Sequence, residues 1–366
     1  MIKYSNAELV LIWLDSFVGL EYKHKLALFD NLKNCTGIKD FLQKSKDYIS
    51  STIGEKEYST ILASANQEYL TFLLENLDKK GIIAVTQFSK NYPKRLMETE
   101  IPPLILYAKG NLELLDSECF AIVGSRKSLP SSIAIAKDYA KTLCSHFTIV
   151  TGIAEGVDSA VIEQTLFSDG RVISVNAGGF DNVYPKRNQA LFDKVVEKGL
   201  VLSEYPPETF AQPFMFPVRN RIIAGLSKGV LIANGEIKSG TRYTAEYGFE
   251  YGKDVFAIPY GVGVASGAGC NDLIKRGANL TDSPKDILDF YSVKETPERE
   301  ELSPEEKQVL SALLDGEKHV EKLCLQLKKQ TFEILPVLSV LEIKGYVVKS
   351  GNVYGLCRKI TEEQCN

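Results

Sequence analysis

The residues in this chain best suited to chemistry lie in short runs of glycine, hydroxyl and cationic side chains, each placed where an apolar run gives way to a helical pattern. "VGSRKSLPSS" (123–132) offers backbone N–H groups at the start of a helix, where the helix dipole favours an anion. Gly124 there allows close backbone approach, Ser125 supplies a hydroxyl, and Arg126 supplies a guanidinium fork that matches a phosphate. "AGGFDNVYPKRNQALF" (177–192) presents Lys186 and Arg187 at a helix start, with Lys186 the better candidate ligand contact because it follows Pro185 at the loop tip. "FPVRNRIIAGL" (216–226) sets Arg219, Asn220 and Arg221 in the first turns of a helix opened by Pro217. The two arginines are about 200° apart around the helix axis. One therefore meets a ligand while the other braces a loop or a carboxylate, and Arg221 is expected to be the ligand-facing one. "GEIKSGTRYTAEYG" (235–248) forms a small polar cradle from Ser239, Gly240 and Thr241, with Glu246 in the helix that follows. The glycine-rich "GVGVASGAGCNDLIKRGA" (261–278) leads into Asn271.

These runs recognise phosphate without an evident bond-breaking group. The three histidines, His24, His146 and His319, are isolated, so no Ser/His/Asp or Cys/His set assembles, and no paired carboxylates for hydrolysis stand out. The seven cysteines (35, 119, 144, 270, 324, 357 and 365) show no CxxC spacing, which fits reduced cytoplasmic thiols and implies no metal site. GxGxxG is missing, as is an acidic residue at the end of the second strand to hold a ribose, so no cofactor is expected. The net charge of −4 argues against a protein that coats duplex DNA. Residues 120–290 hold 18 acidic and 18 basic side chains. Any anion site is therefore a local patch.

The elements that must position these loops follow from hydrophobic periodicity. Residues 1–80 repeat apolar positions at three and four and read as a small helical domain, with "NAELVLIWLDSF" an amphipathic helix and not a signal peptide. "GIIAVTQFS" and "PPLILYAKG" look like short strands. From Cys119 the chain alternates continuous apolar strands ("CFAIVG", "FTIVTG", "RVISVNAGG", "LVLSEY", "GVLIAN", "DVFAIPYG") with helices, the pattern of a parallel sheet covered on both faces. Ligands of such sheets bind beyond the carboxyl ends of the strands. The charged connector "VKETPEREEL" reads as a linker. Beyond it, three helices and a hairpin turning at Ser350-Gly351-Asn352 read as a winged helix-turn-helix, with 330–344 as its recognition helix. The expected domains are thus 1–80, a core at 81–292, a linker at 293–302 and a terminal domain at 303–366.

Taken in order, "FAIVGSRKS", "VTGIAEGVDSAV", "NAGGFDNVYPKRN", "LSEYPP", "FPVRNRIIAGLSKGVLIAN", "SGTRYTAEYG", "DVFAIP" and "GAGCNDLIKRGANL" resemble the DNA-processing protein A (DprA/Smf) family over about 105–290. The resemblance implies an α/β fold with a Rossmann-like, mostly parallel sheet, preceded by a sterile-alpha-motif-like (SAM-like) helical domain and followed by a winged helix. It implies a cytoplasmic homodimer, not an enzyme, that binds single-stranded DNA, protects incoming strands and helps load a RecA-type recombinase in natural transformation. On this reading Gly124, Ser125, Arg126, Lys186, Arg219, Asn220, Arg221, Ser239, Gly240, Thr241 and Asn271 contact DNA. The sequence departs from the family pattern at Thr151 and Glu155, at Arg242-Tyr243, where Tyr243 either stacks on a base or packs in the core, and in "FVGLEYKHK", which lacks a GxG hairpin.

Two rivals come from other classes. One is a nucleotide phosphoribohydrolase of the lysine-decarboxylase-like Rossmann group, in which Gly240, Thr241 and Glu246 serve the reaction and Glu246 acts on a ribose. The other is a transcriptional regulator that senses a small ligand in its core and acts through the winged helix.

Overall fold

The computed structural model describes residues 3–17, 22–293, 302–343 and 346–356. It divides into two compact units, 1–294 and 295–366. The linker expected at 293–302 and the centre of "FVGLEYKHK" fall largely outside the described residues, as do Cys357 and Cys365.

The first unit is built on nine strands: β1 (Ile83–Thr86), β2 (Ile105–Gly110), β3 (Cys119–Val123), β4 (Thr148–Thr151), β5 (Val172–Val175), β6 (Leu200–Ser203), β7 (Gly229–Ile232), β8 (Asp254–Ala257) and β9 (Asn279–Leu280). Their order is β1-β2-β6-β5-β4-β3-β7-β8-β9. Strands β3 to β9 run parallel, and β1 and β2 extend the β6 edge antiparallel. All six strands expected from the continuous apolar runs are present, and the central ones are buried along their whole length. The two-residue β9 is too short to have left a pattern in the sequence.

Each strand divides its side chains between two layers, as the period of two requires. Cys119, Ala121, Val123, Val230 and Ile232 face one core, and Phe120, Ile122, Leu231 and Ala233 face the other. The helices, numbered from the N-terminus, begin with α1 (Asn6–Asp15), α2 (Tyr22–Ala27), α3 (Phe29–Lys33), α4 (Ile38–Ile53), α5 (Glu55–Ala63), α6 (Gln67–Lys79) and α7 (Lys94–Met97). They continue through α8 (Pro130–Leu143), α9 (Val157–Phe167), α10 (Gln189–Lys198), α11 (Met215–Leu226), α12 (Thr241–Glu250), α13 (Ala268–Lys275) and α14 (Pro284–Phe290). Helices α11 to α13 cover the first layer, while α8, α9 and α14 cover the second.

The helical N-terminal region has its own core around Trp13, Phe41 and Ile49. Ser5 and Glu8 form a capping box that starts α1, and the Asn66 side chain accepts from Tyr69 N, ending the α5 run and opening α6. Ile12 of α1 and Leu77 of α6 also enter a core with Tyr107, Val172 and Val201, and the Ala84 N–H on the outer strand β1 donates to the Tyr4 hydroxyl.

The unit at 295–366 contains α15 (Pro304–Leu313), α16 (Val320–Leu327) and α17 (Thr331–Ile343), with a three-stranded sheet ordered β10 (Lys318–His319), β12 (Val353–Leu356), β11 (Val347–Ser350). Leu310, Leu323, Ile334, Leu338 and Tyr354 form its core. Gly351, at φ +64°, and Asn352 close the hairpin. Pro336 sits within α17, which begins at Thr331.

Phe120 is fully buried and touches the rings of Phe147, Phe256 and Tyr291 at centroid distances of 5.6, 5.9 and 6.3 Å. Phe120→Ala is expected to destabilise the chain by about 3–5 kcal/mol. A lower urea midpoint with an unchanged slope is the corresponding observation.

Candidate functional site

The chain passes from β3 through β4 and β5 to β6 on one side of the sheet, then returns to lay β7 on the other side of β3. Sheets of this kind open a crevice where the strand order reverses, beyond the carboxyl ends. A cavity of about 710 Å³ lies there. Its lining includes Gly124, Ser125, Arg126 and Lys127 after β3, Ala154 and Asp158 after β4, Phe216, Arg219 and Asn220 of α11, and Ser239, Gly240 and Thr241 after β7. The structure thus gathers eight of the eleven sequence-predicted residues into one cavity: Gly124, Ser125, Arg126, Arg219, Asn220, Ser239, Gly240 and Thr241.

The loop after β3 is shaped by its neighbours. Asn234, fully buried at the end of β7, accepts from Ser125 N at 2.8 Å and from Ser128 Oγ at 3.2 Å. Ser125 Oγ donates to the Lys127 carbonyl at 3.1 Å, so this hydroxyl shapes the loop and is not the free donor expected from the sequence. Gly156 lies at φ +79°, and a Cβ there would meet the Ser125 carbonyl oxygen at 2.4 Å. Only glycine lets the start of α9 sit against this loop. Helices α9 and α12 both begin at the cavity without a side-chain cap, and their first turns are closed by backbone carbonyls instead: Val157 N donates to Ser125 O at 3.3 Å, Ser159 N to Ala154 O at 3.1 Å and Arg242 N to Ser239 O at 3.2 Å.

The two arginines of α11 point to opposite sides, as their spacing demands. Arg219 is 5% exposed and lines the cavity, donating to the Val175 carbonyl and, through Nε, to Asn220 Oδ1 at 3.2 Å. Burial pushes its guanidinium down to about 10, against the attraction of Asp158. Burial likewise raises the Asp158 carboxyl, opposed by Arg219. Both groups crowd Gly152, where a Cβ would lie 2.3 Å from Asp158 Oδ2 and 2.6 Å from an Arg219 terminal nitrogen.

Arg221 corrects the expectation that it faces the ligand. It is 4% exposed, lies outside the cavity lining, and pairs with Glu204 at 2.5 Å. The cavity-facing member of the pair is Arg219, and the bracing member is Arg221. Asn271 also lies outside the lining. Its side chain accepts from Tyr260 N at 3.0 Å and donates to Tyr260 O at 2.8 Å, tying α13 to the loop after β8. Lys186 is exposed and outside the lining, although Tyr184, two residues earlier, is part of it. Glu155 pairs with Arg187, and Tyr243 is exposed but not in the cavity.

Arg126 is exposed and stands 4.5 Å from the centroid of the Phe216 ring, a cation–π arrangement. Tyr184 meets Phe216 edge-on at 5.7 Å. Sequence reasoning missed Phe216, Tyr184, Asn234, Asp158 and Glu204. The signal for Phe216 was the run "TFAQPFMFP", three phenylalanines within seven residues.

The family described as DNA recombination-mediator protein A matches residues 83–292. The chain belongs to this family. A DNA processing protein DprA of Bacillus subtilis is 38% identical over 223 residues, 60% of this chain and 73% of that protein. One from Streptococcus pneumoniae is 41% identical over 197 residues, covering 54% and 70%. The X-ray structure of DNA processing protein A from Streptococcus pneumoniae aligns with a TM-score of 0.64 at 30% identity, covering 79% of this chain and 98% of that one. A structure of DNA processing protein A from Helicobacter pylori, described for its single-stranded DNA binding mode, aligns at 0.53 and 28% identity, covering 58% and 95%. Among the described residues no helix is long and apolar enough to cross a membrane, and no group of three or more His, Cys, Asp or Glu is placed to hold a metal ion. The five described cysteines are free thiols.

Glu204→Ala would strand the buried Arg221 charge. A loss of about 3–5 kcal/mol in unfolding free energy is expected by chemical denaturation.

Proposed function

We propose that this chain binds single-stranded DNA in the crevice beside β3 without altering it covalently. Arg126 holds backbone phosphate, while Phe216 and Tyr184 offer ring surface to a base. The observation that carries the reading is the Arg126 guanidinium stacked on Phe216 at the open mouth of the cavity, a cation and an aromatic surface in one place. Lys127 and Lys186, both exposed, serve the strand as it leaves the cavity. The binding mode named for the Helicobacter pylori relative supports this assignment.

We extend the proposal to a wider role, supported by membership of the family: a cytoplasmic homodimer that processes incoming DNA in natural transformation, protects it and helps load a RecA-type recombinase. The N-terminal helices are read as SAM-like and the terminal unit as a winged helix, giving the boundaries 1–80, 81–292, 293–302 and 303–366. Between Thr331 and Ile343, α17 carries Glu333 and Glu342 and no Lys or Arg. That favours a protein contact over major-groove reading and weighs against a transcriptional regulator.

The phosphoribohydrolase reading requires Glu246 to face a ribose in the cavity. Glu246 instead accepts from Arg242 Nε at 2.7 Å, lies 3.9 Å from Arg276, and is not among the lining residues.

Arg126→Ala is expected to weaken binding of a short oligonucleotide and to reduce the log–log salt slope by about 0.7 for each phosphate no longer neutralised. Fluorescence anisotropy at two salt concentrations measures both, and wild-type affinity in the variant would overturn the phosphate clamp. Incubation with nucleoside monophosphates is expected to release no free base.

A further inference from the structure

The loop between β6 and α11 holds more aromatic surface than the cavity uses. Phe210 and Phe214 are 68% and 64% exposed. Exposed phenylalanine rings forgo the stabilisation of burial, and two of them four residues apart give this loop an apolar surface beside the cavity. The loop that carries them is pinned: Gly179 N donates to the Thr209 carbonyl at 2.8 Å, Asp181 N to the Pro207 carbonyl at 2.9 Å, and Asn182 Nδ2 to the Glu208 carbonyl at 3.0 Å. Gly178 packs so closely that a Cβ there would lie 2.8 Å from Ala211 N. The backbone therefore presents these rings from a fixed position.

Two features select the occupant. The loop is continuous with the candidate interface, because Ala211, Pro213 and Phe216 from the same segment already line the cavity. Residues 209–218 also contain no Asp, Glu, Lys or Arg, so this surface contributes ring faces and no phosphate neutralisation. From this we infer that Phe210 and Phe214 form a second base-stacking subsite, receiving bases of the strand whose phosphate Arg126 holds. The inference rests on the single-strand reading above. It extends the footprint beyond the cavity by a segment that adds affinity without adding salt dependence.

Wild type, Arg126→Ala and the double variant Phe210→Ala/Phe214→Ala are to be titrated with a fluorescein-labelled oligothymidylate at several salt concentrations. A second series uses the same oligomer with abasic sites scanned along it. The double variant should bind about five- to one-hundred-fold more weakly for each base left unstacked, with the salt slope unchanged. That weakening should vanish on the oligomer whose abasic site falls at the stacked position, since removing ring and base are then non-additive. Both rings are exposed, so the thermal melt of the variant should match wild type.

Unchanged affinity in the double variant, or a weakening accompanied by a smaller salt slope, overturns the subsite. Unchanged affinity together with a change in sedimentation would assign the rings to a second copy of the chain, which also overturns it. If wild type fails to bind the oligomer at all, the single-strand reading itself falls.

Discussion

A guanidinium removed from water needs a counter-charge, and two such demands fall on one helix. Arg221 pairs with Glu204, and Arg219, on the opposite side of α11, donates to the Val175 carbonyl with the Asp158 carboxyl nearby. Buried ion pairs add little net stability, yet each strongly resists the loss of one partner. Together they fix the rotation of α11 about its axis. That rotation places Phe216, one turn earlier, beneath Arg126, and brings Asn220 Nδ2 to the Gly240 carbonyl at 3.3 Å. The arrangement of the mouth thus follows from electrostatics beneath it.

Much of the fold was legible because continuous apolar strands and three-four helical periodicity are direct imprints of burial. The parallel core, β3 to β8, follows from those runs alone. The loops were legible as candidate anion sites because glycine, hydroxyl and cationic side chains recur at strand-to-helix turns, and eight of the eleven named residues line one cavity. Which arginine faces the cavity was not legible. The 200° separation states that they diverge, but Asp158 and Glu204 lie 61 and 17 positions away from their partners along the chain, and no local pattern encodes such pairings. Asn271 failed for a similar reason, since a side chain that clamps Tyr260's backbone and one that clamps a ligand look alike in sequence. Phe216 stands in the very stretch that holds the arginines, but a phenylalanine before a helix reads first as core.

The neutral balance of the central region acquires a meaning in this geometry. Glu155 with Arg187, Glu246 with Arg242, and Lys80 with Asp181 and Glu208 consume opposite charges on the surface. Arg126 and Lys127 remain exposed at the mouth of a region whose charges balance overall. A local cluster of cationic side chains can thus sit on a chain whose overall charge is negative.

The rims of the nine-stranded sheet set a limit of another kind. On one side β1 spans four residues, with the Ala84 amide already taken by the Tyr4 hydroxyl, and on the other β9 spans two. Neither offers a long row of unpaired amides onto which a foreign strand could zip. Copies of this chain crowded together are thereby guarded against fusing their sheets into continuous ribbons.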